Sequence, residues 1–213
     1  DGVPNFQGAS VMTYQNAAWQ LVGPRNFTNT QTRFNSLAIG TDNTLYVALQ
    51  ESQAPYYNGA LYKFTNSSSG WESVGNNFPV NAPATQLSIA LDSNNTPYVA
   101  FKDGSANEEL SVVKFSSGSG SAEYVGAPGS ASSNDVLQIG VNTSIAINPI
   151  TQTPYVIYSA GCLDGLCDGF VSGYSQDIGW FNLVTPSGFS NGAVMNNLSL
   201  MFIENTPYIS YQS

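Results

Sequence analysis

The 213-residue chain has no histidine, five basic residues and two cysteines, and each shortage removes a class of chemistry. Without histidine neither a Ser-His-Asp nor a Cys-His arrangement can be built, and the side chain that titrates nearest neutral pH is missing. Five cations (Arg25, Arg33, Lys63, Lys102, Lys114) against 14 acidic residues leave a formal charge of −9. No basic stripe can neutralise a phosphate backbone or an anionic lipid surface, which argues against nucleic acid as a partner. No apolar run approaches the ~20 residues that span a bilayer, so direct membrane insertion is not expected. The first residues, DGVPNFQG, show neither a basic start nor an apolar stretch. Any export signal is therefore expected to have been removed or to lie outside this chain. No GxGxxG or Walker-type loop is placed between a strand and a helix.

Charged residues make up only 9% of the chain, while 42% is hydrophobic and 12% aromatic. That balance belongs to a folded domain with a neutral-polar surface rather than to a disordered chain. Cys162 and Cys167, in GCLDGLCDG, offer too few ligands for structural zinc, which takes four Cys or His. In an Asn-rich, Lys-poor, sequon-bearing chain a local disulfide is expected, a pair of free loop thiols being the alternative.

What the chain does have is repetition. TLYVAL (44–49), TPYVAF (96–101), TPYVIY (153–158) and TPYISY (206–211) place tyrosines at 46, 98, 155 and 208. About ten residues upstream of each stands a second phrase: SLAI (36–39), SIAL (88–91), SIAI (144–147) or SLMF (199–202). Two apolar runs around a short Asp/Asn turn read as a hairpin. Three of the hairpins are followed by a third run, ALYKF, SVVKF or GFVSGY, and a fourth, WESVG, AEYVG or WFNLV. The C-terminal hairpin has no followers, but SVMTY (10–14) and WQLVG (19–23) stand at the other end of the chain.

Four strands per unit in four units predict an all-β protein, a four-bladed β-propeller of four-stranded antiparallel blades closed by strands from both termini. It would form one domain over 1–213, with blades at about 34–75, 86–126, 142–184, and 197–213 together with 9–23. Two chains exchanging terminal strands into a larger ring is the rival arrangement. No sustained 3.6-residue period appears, so helix should be nearly absent. Proline after the turn suits the first residue of a strand, and the repeated Tyr-Val phrases read as scaffold. Trp19, Trp71 and Trp180 are expected to clamp blades, Phe27, Phe78 and Phe189 to pack, and Ser36, Ser88, Ser144 and Ser199 to bond between blades. The phrases W-x-x-V-G, S-[LI]-A-[IL] and T-P-Y-V-A-[FY] resemble the propeller repeats of secreted or cell-surface proteins, distantly similar to sialidase and kelch-like families. The resemblance implies fold and an extracellular or cell-surface setting. The sialidase Asp-box and arginine triad are absent, so that hydrolysis is not implied.

The loops from second to third strand and from outer to next inner strand should share one face. Tyr56, Tyr57 and Asn58 lie there as a candidate sugar-binding surface, with folding back into a small packed cluster as the alternative. Asp103, Glu108, Glu109, Asp164 and Asp168 give that face oxygen ligands suited to calcium, or else a solvated acidic surface. Asn26 and Asn66 are the candidate glycan acceptors among the sequons. A non-catalytic recognition module, lectin-like or adhesive, binding glycans or cell-surface proteins, is the leading expectation. A structural unit that self-associates in an extracellular polymer is the second, and a carboxylate-based glycosidase the third.

Overall fold

A computed structural model describes residues 7–28, 30–52, 57–65, 70–75, 78, 82–116, 121–132, 139–163, 166–183, 188–190 and 196–212. Among the described residues, sixteen strands and one 3-10 turn (Gly104–Ala106) form the regular structure. Three sheets have four antiparallel strands each. Sheet I comprises β3 (Thr32–Ile39), β4 (Leu45–Glu51), β5 (Gly59–Phe64) and β6 (Glu72–Ser73). Sheet II comprises β7 (Ala84–Leu91), β8 (Pro97–Asp103), β9 (Glu109–Phe115) and β10 (Ala122–Tyr124). Sheet III comprises β11 (Ile139–Ile147), β12 (Pro154–Leu163), β13 (Leu166–Ser175) and β14 (Gly179–Asn182). The order within each is the expected inner, second, third, outer.

The expected fourth blade is not assembled. Among the described residues β1 (Met12–Gln15) pairs only with β2 (Ala18–Leu21), and β15 (Asn196–Ile203) only with β16 (Thr206–Gln212), giving two separate two-stranded sheets. The reason is positional. The segments flanking the β1–β2 hairpin pack on sheet I, where Ala9, Val11 and Phe27 meet Val47, Leu49 and Trp71. β15 packs at the far side of sheet III, where Leu198 and Leu200 meet Ile157 and Val171. Inner strands stand side by side in the order β3, β7, β11, β15, and among the described residues no such packing joins β15 back to β3.

Three repeated hydrogen bonds tie neighbouring sheets, and they explain the sequence repeat. Three of the four inner-strand serines accept from the next inner strand's backbone: Ile89 N–H to Ser36 Oγ, Ile145 N–H to Ser88 Oγ and Leu200 N–H to Ser144 Oγ, all at 3.2 Å. Two of the three tryptophans donate back to the preceding W-x-x-V-G-type segment: Trp71 Nε1 to the Val22 carbonyl at 2.9 Å and Trp180 Nε1 to the Val125 carbonyl at 2.6 Å. The turns between first and second strands are linked too. Asn95 Oδ1 accepts from Thr41 N–H, Gln152 Oε1 from Ser93 N–H, and Asn205 Oδ1 from Asn148 Nδ2.

The last glycine of the repeat phrase has a reason as well. Gly23 and Gly126 sit at φ +72° and +84°, where a Cβ is strained, and the incoming tryptophan ring would lie 3.2 Å and 2.9 Å from that Cβ. Gly126→Ala should therefore destabilise by on the order of 2 kcal/mol, from the left-handed backbone and the displaced Trp180. Chemical denaturation measures it, and an unchanged midpoint would refute the account. The recurring phenylalanines bridge in the same direction: Phe27 stacks on Trp71 at 4.4 Å, Phe78 meets Phe101 at 5.0 Å, and Phe189 meets Tyr211 at 5.5 Å. A bulge precedes the serine of β3, β7 and β15, with Phe34, Gln86 and Asn197 at positive φ.

Candidate functional site

Asp103 ends β8 facing inward, and this overturns its expected place on an acidic loop face. The residue is 0% exposed. Its Oδ1 accepts from Ser105 N–H and Oγ–H at 2.9 and 2.6 Å, and its Oδ2 from Ser111 Oγ–H and Tyr124 O–H at 2.8 and 2.9 Å. A carboxylate spent on four donors has no lone pair aimed at solvent for a cation. Glu108 instead pairs with Lys102 at 2.8 Å, Glu109 is half-buried at the start of β9, and Asp168 on β13 accepts from Ser190 Oγ at 3.3 Å. Asp164 lies outside the described residues. Among those described, no three His, Cys, Asp or Glu side chains gather where a metal ion could be held.

Burial, together with the Asp103 carboxylate that its hydroxyl donates to, pushes Tyr124 up to about 12. A phenol neutral in the fold and ordinary when unfolded contributes stability fully present below about pH 10. That contribution is lost as pH rises through about 12. Tyr124→Phe, with no proton to lose, should show a shallower fall in stability across that window than the natural chain. Alkaline denaturation with tyrosinate absorbance reads the difference, and superimposable curves would count against it.

Of the expected sugar-binding trio, Tyr57 and Asn58 stand in the β4–β5 connection and Tyr56 lies outside the described residues. The Tyr57 side chain is exposed, while its carbonyl accepts from Ala84 N–H at 3.0 Å, tying the loop to sheet II. Asn58 Oδ1 is buried without a partner. Asn26 is exposed with its backbone N–H bonded to Ser10 Oγ at 2.9 Å, and Asn66 lies outside the described residues. Cys167 is disulfide-bonded and no described cysteine is free.

Concave sites appear at the opposite face, where the first-to-second-strand turn of one sheet meets the third and outer strands of its neighbour. Between sheets I and II a cavity of about 470 Å³ is lined by Tyr46, Lys63, Ser73, Asn94, Asn95 and Phe115, among others. Between sheets II and III the matching place is a cavity of about 120 Å³, lined by Tyr98, Lys114, Tyr124, Gln152 and Tyr174, among others. The two are equivalent by register, since Tyr46 lies opposite Lys63 and Tyr98 opposite Lys114. Lys63 and Lys114 are held by Glu72 at 3.6 Å and Glu123 at 3.8 Å. Ser73 and Tyr124 hold equivalent outer-strand positions, and the Tyr124 side chain turns into the core shared with sheet I, where its hydroxyl reaches Asp103. The third place is filled. Gly173 and Phe181 replace the lysine and glutamate, and Tyr155 packs edge-on against Phe181 at 6.2 Å and Phe202 at 5.0 Å.

Partial burial, with Asp42 and Asp92 respectively nearby, raises the hydroxyls of Tyr46 and Tyr98 above the usual phenol range. Both therefore stay neutral, donating phenols near neutral pH. The sequence reading assigned these tyrosines to scaffold and missed them as cleft walls. The signal it passed over was the lysine in ALYKF and SVVKF, two of only five cations, placed at one equivalent position.

No protein-family model matches the chain, and no curated protein matches it. Solved structures do. A protein of unknown function from Dyadobacter fermentans aligns at 13% identity over 91% of this chain and 61% of its own, with a TM-score of 0.56. NanB sialidase from Streptococcus pneumoniae, as its K499G mutant, aligns at 16% identity over 90% of this chain and 30% of its own, with a TM-score of 0.51. A GH43_12 protein from a capybara gut metagenome aligns at 11% identity over 81% of this chain and 35% of its own, with a TM-score of 0.50. This chain thus spans less than two thirds of each. What they share with it is fold: four-stranded antiparallel sheets packed in the propeller manner.

Proposed function

We propose that this protein is a non-catalytic carbohydrate-recognition module of an extracellular or cell-surface protein, and that it takes a sugar unit in the cleft between sheets I and II. The observation that carries this reading is the cleft itself. Its volume of about 470 Å³ lies in the range of small-ligand sites, whereas the equivalent 120 Å³ cavity falls below it. Tyr46 supplies a flat apolar ring for the less polar face of a pyranose, with a hydroxyl at its rim. Lys63, Asn94, Asn95 and Ser73 supply donors and acceptors for ring hydroxyls. Glycoside hydrolysis by the usual route needs two facing carboxyl groups, and the described lining residues of this cleft include none. Asp103 is removed from that role by burial.

Two of the structural neighbours are named as a sialidase and a GH43 protein, which favours a carbohydrate ligand. The neutral-polar composition, the sequons and the disulfide-bonded Cys167 favour an exported setting.

The test is a glycan array on the 213-residue chain, run with calcium and with a chelator, followed by calorimetry on the best hit. Tyr46→Ala, which removes the ring wall of the cleft, should weaken binding at least about tenfold, about 1.4 kcal/mol. Binding should be indifferent to chelator. An array silent in both conditions, or affinity unchanged by Tyr46→Ala, would refute this site.

A further inference from the structure

We infer that the two open ends of the chain are complementary halves of one sheet, and that a second copy of this chain completes each of them: β16 of one copy pairs with β1 of the other.

Within sheets I, II and III, the second strand always pairs with a third strand, and the inter-strand register is the same each time. Tyr46 lies opposite Lys63, Tyr98 opposite Lys114 and Tyr155 opposite Gly173. β16 is a second strand, carrying Tyr208 in TPYISY, and among the described residues no third strand pairs with it. β1 is a third strand without a second, because Thr13 lies opposite Gln20 as Lys63 lies opposite Glu72. Each edge therefore lacks the strand that the other end of the chain supplies, and Thr13 is the residue expected opposite Tyr208.

Side-chain exposure points the same way. At the N-terminal end Trp19 is 66% exposed and Ile39 63%, with Met12 and Leu37 also bare. At the C-terminal end Met201 is 60% and Tyr208 50% exposed, with Ile203 bare as well. Unpaired edges and apolar faces of this size are what a sheet protein normally covers. The inter-sheet bonds also stop at these ends. Ser199 follows Ser36, Ser88 and Ser144, each of which accepts from the next inner strand, and the missing donor corresponds to the N–H of Leu37. Trp19 follows Trp71 and Trp180, and its missing acceptor corresponds to the carbonyl of Leu183, an exposed residue just past β14.

The chain's own hairpin is committed elsewhere. It is bound to sheet I through Val22 and Phe27, while β15 is bound to sheet III through Ser144 and Asn205, with three complete sheets between them. A second copy satisfies both ends without moving either. The contact is heterologous, and two copies that use both of their ends close on themselves and leave no free edge.

The test begins with the solution mass of the 213-residue chain by light scattering, expected at twice its 22.6 kDa. Thr13→Cys and Tyr208→Cys are then made in separate chains, mixed after partial unfolding, and oxidised. A cross-linked pair containing one of each chain is expected. In the doubly substituted chain the cross-linked product should run as a dimer. Trp19→Ala should shift the unsubstituted assembly toward monomer while leaving the far-ultraviolet spectrum unchanged. A monomer by mass, a cross-link confined within one doubly substituted chain, or an open-ended polymer would overturn the inference.

Discussion

Asp103→Ala should cost about 3–5 kcal/mol of unfolding free energy, the summed penalty for orphaning several buried donors after partial rehydration. Four donors converge on this carboxylate: Ser105 N–H, Ser105 Oγ–H, Ser111 Oγ–H and Tyr124 O–H. Ser111 in turn accepts from Gly129 N–H at 2.8 Å, so the network also fixes the segment after β10. The substitution has a second, specific signature. With the carboxylate gone, Tyr124 loses one of the two causes that raise it, and its alkaline titration should move back from about 12 toward 10. Asp103→Asn keeps the shape but turns one acceptor into a donor facing donors, so it should lose a large part of the same stability. A loss below about 1 kcal/mol for the alanine variant would mean that water or neighbouring acceptors replace the carboxylate, and the network would then be incidental.

Phe101→Ala is expected to cost about 3–5 kcal/mol, the usual range for removing a fully buried aromatic ring. Phe101 is 0% exposed in the core between sheets I and II, together with Val99, Val113 and Leu61. Its ring meets Phe78 at 5.0 Å, and Phe78 meets Phe115 at 5.7 Å. Phe115 lines the wide cleft. Loss of the Phe101 ring should therefore loosen the wall of the proposed binding site as well as the core, weakening glycan binding at temperatures where the chain is still folded. Phe101→Leu, which leaves a smaller cavity, should recover most of the stability. Denaturant titration of both variants decides the matter, and near-equal midpoints for alanine and the natural residue would show that the two sheets do not depend on this packing.

The loop face illustrates how sequence proximity misleads. Asp103, Glu108 and Glu109 lie within seven residues and read as a cluster, yet Asp103 is buried, Glu108 reaches Lys102 and Glu109 starts a new strand. Side chains at a strand end turn to one face or the other by the period of two, and a short polar turn then separates neighbours that the sequence places together. The wide cleft was invisible for the converse reason. Tyr46 and Lys63 belong to one sheet and Asn94 and Asn95 to the next, so the cavity exists only where two repeats meet. One such place is wide and the next narrow, and a repeat pattern averages over the differences between repeats that make them so.

By itself the sequence determined strand order, the antiparallel pairing within each sheet and the repeated contacts between sheets, because these depend on local alternation and on residues that recur at fixed spacing: the serine of the inner strand, the tryptophan of the outer strand and the glycine that receives it. Tertiary structure alone decided which of the equivalent clefts is open and what becomes of the chain's ends. Volume between sheets depends on pairs of side chains from different repeats. Closure depends on where three packed sheets carry the two termini, and here they carry β1 and β16 to opposite ends, each with an edge unpaired.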